Sequence, residues 1–252
     1  MKIAVITGAS SGMGREFVLQ LCKQKKFDEV WVIARRTDRL ESLQDEVDTK
    51  VRPISLDLTK EESIREYQTL LEHEKPVVDV LVNASGVGRF GAFCDMDLET
   101  MYRMIDLNSK AYVGMTYATL PYLQKGSEVY QLDSLSSFQP VPYICVYGAT
   151  KAFVLSFSRA LNVELKKRGI RMMAVCPGWV RTEFFDHAVT DNTICYYNKF
   201  FTPQEVIARA LRDMKKGKDV SICGFSVRAQ VFLTKLLPHR LIMKIWCKQQ
   251  KK

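Results

Sequence analysis

The sequence predicts an α/β fold, a doubly wound parallel β-sheet flanked by helices in a single domain. Three observations carry this. Short β-branched apolar runs, at 2–6, 30–34, 77–82 and 170–176 among others, suit strands buried on both faces, as a parallel sheet requires. They alternate with stretches of helical pattern, the order that βα units demand. The 252 residues, 47% of them hydrophobic, suffice for one large core, and no Gly/Ser tract, Pro-rich stretch, charge block or internal repeat marks a linker.

The first run, 2–6, leads directly into Thr7-Gly8-Ala9-Ser10-Ser11-Gly12-Met13-Gly14 and then into a helical stretch, 15–22. Strand, glycine-rich turn and helix, in that order, form the setting of a phosphate-binding loop. Glycines let the backbone turn tightly and approach a diphosphate, and the helix N-terminus offers free N–H groups and a favourable dipole. The competing reading is an ordinary turn of small residues. The second strand, 30–34, ends in Arg35-Arg36. Dinucleotide folds put the adenine-ribose at this strand end, where an acidic residue would bond the 2′-OH and an arginine fork matches a 2′-phosphate. No Asp or Glu stands there, so NADP (NADPH) is expected ahead of NAD. The bland alternative is a solvated start to the next helix.

The third strand, 51–56, closes in Asp57-Leu58-Thr59. Asp57 suits either a hydrogen bond from an adenine amino group or an N-cap for a helix starting near Lys60. The fourth, 77–82, runs into Asn83-Ala84-Ser85-Gly86, whose small residues permit close approach of a cofactor. Asn83 could instead satisfy local backbone groups. Residues 98–120 form one long helix with Asn108 in its middle, as a surface residue or as one that faces the site and loosens the helix to hold a water. The fifth strand, 127–132, delivers Ser134 just past its C-terminal end, where ligands bind in open α/β sheets. A helix over 145–166 follows, then the sixth strand, 170–176, ending in Pro177-Gly178-Trp179-Val180-Arg181-Thr182. Residues 219–223 supply a seventh.

Tyr147 and Lys151 lie four residues apart, so they project from one helix face. An ammonium beside a phenol favours the phenolate and should depress its pKa. A serine hydroxyl nearby, Ser134, would hold a substrate oxygen while the tyrosine moves its proton. That is machinery for interconverting an alcohol and a carbonyl. Composition alone predicts about 0.8 Tyr-x-x-x-Lys pairs, so the spacing gains its weight from the glycine-rich loop upstream.

Together these residues resemble the short-chain dehydrogenase/reductase family, in order, from Thr7 to about Thr182. The resemblance implies a Rossmann-like sheet. It implies a catalytic set of Asn108, Ser134, Tyr147 and Lys151. The cofactor site would run through Gly8, Ser10, Ser11, Gly12, Met13, Gly14, Arg35, Arg36, Asp57 and Leu58. It would continue through Asn83, Ala84, Ser85, Gly86, Tyr147, Lys151, Pro177, Gly178, Val180 and Thr182. In the chemistry it implies, NADPH gives hydride to a carbonyl carbon and Tyr147 gives the proton. Lys151 would bind the nicotinamide ribose, and Asn108 would hold a water that returns protons to solvent. A homodimer or homotetramer is implied as well. Two positions depart from the pattern. Asp133 replaces a serine and Ser137 a glycine. A carboxylate aimed at Tyr147 would oppose phenolate formation, and Asp133 is expected to turn to solvent or a backbone partner instead.

The seven cysteines are scattered and odd in number, and the three histidines are far apart, so reduced thiols in a cytoplasmic protein are expected, with no metal site. No leader-like start and no run of eighteen apolar residues is seen. The net charge of +9 is spread without a nucleic-acid reading motif. A small-molecule carbonyl or alcohol substrate is the expected partner.

Residues 184–202 are expected to form a substrate lid. Its aromatics Phe185, Tyr196, Tyr197 and Phe200 suit an apolar or bulky carbonyl compound, such as a lipid, steroid or aromatic ketone, unless they only pack on the core. Tyr143 and Gln139 are expected to join the pocket. Residues 226–252 form a basic amphipathic extension. Leu241, Ile242, Ile245 and Trp246 would share one helix face there, as a subunit-contact or pocket-closing segment ahead of a membrane-surface element. Two other functions compete. One is an NAD-dependent hydroxysteroid or polyol dehydrogenase of the same family. The other is a regulator that binds NADPH without turnover, which has no need for Ser134, Tyr147 and Lys151 together.

Overall fold

Alternation along the strands divides the core into two layers. In β1 (Lys2–Thr7), Ala4 and Ile6 face one side while Ile3 and Val5 face the other. The first side packs on Phe17, Val18 and Leu21 of α1 (Gly12–Gln24), Leu40 of α2 (Thr37–Glu41), and Val206, Ile207 and Leu211 of α8 (Pro203–Lys215). The second packs on Tyr67 and Leu71 of α3 (Glu61–Glu74), Ala111 and Met115 of α5 (Ala111–Thr119) and Leu165 of α6 (Cys145–Leu165). The structure, a computed structural model, describes residues 1–189 and 191–252.

The remaining strands of the sheet are β2 (Glu29–Ala34), β3 (Lys50–Ser55), β4 (Val77–Asn83), β5 (Leu123–Leu132), β6 (Arg171–Val175) and β9 (Val220–Ser221). All pair in parallel, in the order β3-β2-β1-β4-β5-β6-β9. The chain runs outward from β1 to β3, then returns to place β4 on the other side of β1. That reversal opens a crevice beyond the C-terminal ends of β1 and β4. A separate two-stranded pair, β7 (Trp179–Val180) with β8 (Phe200–Phe201), borders it, with α7 (Phe184–Ala188) between them in sequence.

Three local expectations are corrected. Residues 98–120 are not one helix. They split into α4 (Leu98–Ile105), a π-helical turn at Asp106–Lys110, and α5. Asn108 sits in that turn, fully buried, so it is no surface residue. Asp57 does not cap α3, whose N-cap is Lys60. Its carboxylate instead accepts from the Thr59 backbone N–H at 3.1 Å and the Thr59 hydroxyl at 2.8 Å, a turn bond that wins because the chain reverses before the helix begins. The seventh strand is only two residues long.

The chain ends in two helices, α9 (Phe225–Leu236) and α10 (His239–Gln249). All seven cysteines are unpaired. Among the described residues there is no cluster of His, Cys, Asp and Glu that would hold a metal, and no helix is long and apolar enough to cross a membrane.

Candidate active site

The glycine loop is pressed against the turn that follows β4. Gly8 has φ +66°, and a Cβ there would lie 2.6 Å from the Ala84 carbonyl oxygen. A Cβ on Gly14 would overlap the Gly8 carbonyl. Both positions therefore need glycine, one for its backbone angle and one for packing. The Thr7 hydroxyl fastens the two segments, accepting from the backbone N–H groups of Ala84 at 3.0 Å and Ser85 at 3.1 Å. Ser11, the N-cap of α1, makes no side-chain cap bond, which leaves the first-turn amides of α1 open to an anion. This cradle fits the diphosphate of a dinucleotide.

Arg36 crosses the loop. Its guanidinium donates to the Ser10 and Ser11 hydroxyls at 3.1 Å each and pairs with Glu183 at 3.1 Å. Glu183 also pairs with Arg39, whose hydrogen bond, with that of Arg36, holds the carboxyl below its ordinary pKa. Arg35, Asp57 and Leu58 line the same cavity, as do Ser10, Ser11, Gly12, Met13, Ala84, Ser85 and Gly86. Partial burial pushes the Asp57 carboxyl up, but the Thr59 bonds and nearby arginines bring it below the usual value. Asn83 does not line the cavity. Its side-chain amide donates to Thr116 at 3.1 Å and Gln131 at 3.0 Å beneath the floor.

Ser134, Tyr147 and Lys151 line the cavity together, about 660 Å³ in volume and within the range of cofactor and ligand pockets. β5 delivers Ser134, whose hydroxyl accepts from the Ser136 N–H at 3.2 Å. Helix α6 presents Tyr147, whose ring contacts Phe90 and Phe184 at centroid distances of 5.7 and 5.6 Å. The Lys151 ammonium donates to the Leu132 carbonyl at 2.8 Å and lies 5.8 Å from the Tyr147 ring centroid.

The electrostatics depart from the expected depression of the Tyr147 pKa. Burial raises it, the Ser134 hydroxyl works the other way, and the Asp133 carboxylate raises it further. Lys151 itself is lowered by burial, against the pull of Asp133. The expectation for Asp133 is likewise overturned. Its side chain is buried, one oxygen accepting from the Cys176 thiol at 3.3 Å and the other lacking a hydrogen-bond partner. Burial lifts its pKa and the Lys151 charge restrains the rise. The Cys176 thiol is pushed well up by burial and by Asp133.

Asn108 does not line the cavity. It accepts from the Val87 N–H at 2.9 Å and donates to the Val87 carbonyl at 2.8 Å and the Thr150 hydroxyl at 3.1 Å. Both amide hydrogens are spent, so the side chain has no N–H for a water. Pro177, Gly178, Val180 and Thr182 close the opposite wall, the Thr182 methyl reaching 3.2 Å from a Cβ placed on Gly12.

The predicted lid divides. Phe184, Phe185, His187 and Tyr196 line the cavity, while Tyr197 packs on Trp179 at 4.9 Å and Phe200 on Phe185 at 5.4 Å. Thr190, inside that segment, lies outside the described residues. Gln139 lines the cavity and Tyr143 does not. Ile242, Ile245 and Trp246 of α10 line it too, although Leu241, expected on the same face, is exposed. Trp246 donates its indole N–H to the Pro142 carbonyl at 3.0 Å.

Sequence reasoning missed Phe90, Glu183 and Gln250. The Gln250 side-chain oxygen accepts from the Cys195 and Tyr196 N–H groups at 2.9 and 3.0 Å, tying the end of the chain to the lid. No local pattern marks these residues, because each acts on a partner distant in sequence.

The family model for short chain dehydrogenases matches residues 2–193. An uncharacterized oxidoreductase of Staphylococcus epidermidis is 32% identical over 183 residues, 72% of this chain and 79% of that protein. The fold is similar to that of a short-chain dehydrogenase from Sphingobium yanoikuyae in complex with NADPH. The two are 28% identical with a TM-score of 0.81, covering 93% of this chain and 92% of that one. It is also similar to the bulky-bulky ketone specific alcohol dehydrogenase of Comamonas testosteroni, at 26% identity and a TM-score of 0.73, covering 88% and 86% of the two chains. The chain belongs to the short-chain dehydrogenase family and is an NAD(P)-dependent oxidoreductase.

Proposed function

We propose that this enzyme uses NADP to interconvert a carbonyl and a secondary alcohol on an apolar or bulky substrate, with Tyr147 as general acid/base. The observation that carries the reading is that Ser134, Tyr147 and Lys151 open into the same cavity as the glycine loop. A nicotinamide nucleotide bound along that loop supplies the hydride. The chain's own residues do the rest. Ser134 donates a hydrogen bond to the substrate oxygen and stabilises charge developing there. Tyr147 hands its proton to that oxygen in reduction and removes it in oxidation. A pKa raised by burial keeps the phenol protonated, the form that donates. Lys151 is held by the Leu132 carbonyl and has further N–H groups to offer a nucleotide ribose. The aromatic walls of Phe90, Phe184 and Phe185 suit an apolar substrate, as does the similarity to an alcohol dehydrogenase specific for bulky-bulky ketones. A panel of bulky and small ketones and aldehydes, followed by NADPH absorbance, tests this. Turnover confined to small charged aldehydes would sink the substrate reading.

Arg36 supports NADP because it lies across the loop with donors to spare for a 2′-phosphate. Glu183 favours the NAD alternative, since its carboxylate already occupies part of that guanidinium. A charge-assisted hydrogen bond is worth about 1.5–3 kcal/mol, so Arg36→Leu should weaken NADPH binding by roughly 10–100-fold and leave NADH nearly unchanged. Fluorescence titration with both nucleotides checks it. Equal losses for the two would remove Arg36 from 2′-phosphate recognition.

Asp133 gives a pH prediction. Its charge is one of the causes raising the Tyr147 pKa. In alcohol oxidation the phenolate is the working form, so activity rises as pH climbs towards that pKa. Asp133→Asn removes the opposing charge while keeping the shape. The acidic limb of kcat/KM for oxidation should therefore move to lower pH. A move to higher pH would mean that Asp133 acts mainly by keeping Lys151 charged.

A further inference from the structure

Residues 220–252 contain seven lysines and arginines and no aspartate or glutamate, in a chain whose net charge is +9. Five of these seven, Arg228, Lys235, Arg240, Lys244 and Lys248, lie on the last two helices. Their outer surface is also apolar. Along α9, Phe225, Phe232 and Leu236 follow a spacing of seven and four, which puts them on one face. They are 80%, 61% and 64% exposed. On α10, Leu241 and Ile245 stand one turn apart, each 45% exposed. Lys235, Arg240, Lys244 and Lys248 are exposed on the same two helices. The apolar surface continues inward, because Leu233 and Ile245 are partly exposed and also line the cavity that holds Tyr147.

We propose that α9 and α10 dock on the surface of an anionic lipid bilayer, with the mouth of the cavity turned towards the lipid. Large exposed aromatic and aliphatic side chains, set among lysines and arginines without a balancing acid, are the composition of an interfacial element. The apolar row enters the headgroup boundary, and the basic residues meet anionic lipid. Charge decides against a second copy as the occupant. A two-fold contact through this face would set Lys235, Arg240, Lys244 and Lys248 against their own copies, and residues 220–252 hold no acid to pair with them. Apolar surface better suited to self-association lies elsewhere, at Ile105, Val113 and Phe153, where Glu61 stands with Arg65 and Lys110 so that charges of both signs can pair. For catalysis, and resting on the function proposed above, the docked enzyme would draw apolar carbonyl compounds from the lipid phase.

The test is co-sedimentation of the full chain, without substrate, with vesicles of phosphatidylcholine alone or containing phosphatidylglycerol. The bound fraction should rise at least tenfold with phosphatidylglycerol and fall as salt is raised. Lys244→Glu with Lys248→Glu should abolish the gain. Phe232→Glu with Leu236→Glu should do the same, and none of these four side chains lines the cavity. Failure to bind either vesicle overturns the proposal, as does equal binding to both or unchanged binding by both variants. Dimerisation that the same substitutions abolish, without vesicle binding, assigns the face to a second copy and also overturns it. Binding is read without turnover, so its failure leaves the oxidoreductase reading intact.

Discussion

Tyr147→Phe should remove turnover and leave the nucleotide in place. The phenol oxygen is the only atom lost. The ring keeps its contacts with Phe90 and Phe184, and the hydrogen bond from the Thr150 hydroxyl goes to the main-chain carbonyl of residue 147, which the substitution does not touch. A positioned acid or base contributes about 10²–10⁴-fold. Without the phenol, no other titratable side chain is assigned the proton, so kcat should fall by roughly 10³-fold. Nucleotide affinity should stay within about twofold, because the glycine loop, Arg36 and Lys151 are unchanged. Single-turnover absorbance and a fluorescence titration on the same preparation check both halves. Full activity in the Phe variant would refute Tyr147 as the acid/base. Lost nucleotide binding alongside lost turnover would show that the hydroxyl serves mainly to hold the cofactor.

The parts of this site legible in the sequence are those set by local geometry. Near-continuous β-branched apolar runs announce strands because a parallel sheet buries both faces. Gly8 and Gly14 are readable because a phosphate loop leaves no room for a side chain at those points. The four-residue step from Tyr147 to Lys151 is readable because a helix repeats in that interval. What stayed hidden depends on the tertiary direction of single side chains. Burial of the phenol reverses its predicted electrostatics, and Asp133, turned inward to meet Cys176, 43 positions away, adds to that. Glu183 reaches Arg36 across 147 positions. The pattern of 98–120 is helical throughout, and the turn that widens at Asn108 is the one whose side chain meets Val87 and Thr150, partners that no local pattern shows.

Asn108 therefore supports the largest expected effect on stability. Its side chain satisfies both main-chain polar groups of Val87 and the Thr150 hydroxyl, and Thr150 in turn donates to the Tyr147 carbonyl at 2.7 Å. Asn108→Ala deletes three hydrogen bonds in a fully buried position. Buried polar groups left unpaired cost about 1–3 kcal/mol each, and two are main-chain groups that cannot turn elsewhere, so the net loss should be about 3 kcal/mol. For a chain of this size that lowers Tm by roughly 6–12 °C. The same loss frees the first turns of α6, so kcat should fall more than nucleotide affinity. Asn108→Asp separates the two contributions. It keeps an acceptor for the Val87 N–H but sets a carboxylate oxygen against the Val87 carbonyl, so its Tm should fall at least as far as that of the Ala variant. A drop below about 2 °C in the Ala variant would mean that water replaces the amide, and that Asn108 is not the strut between the segment after β4 and α6.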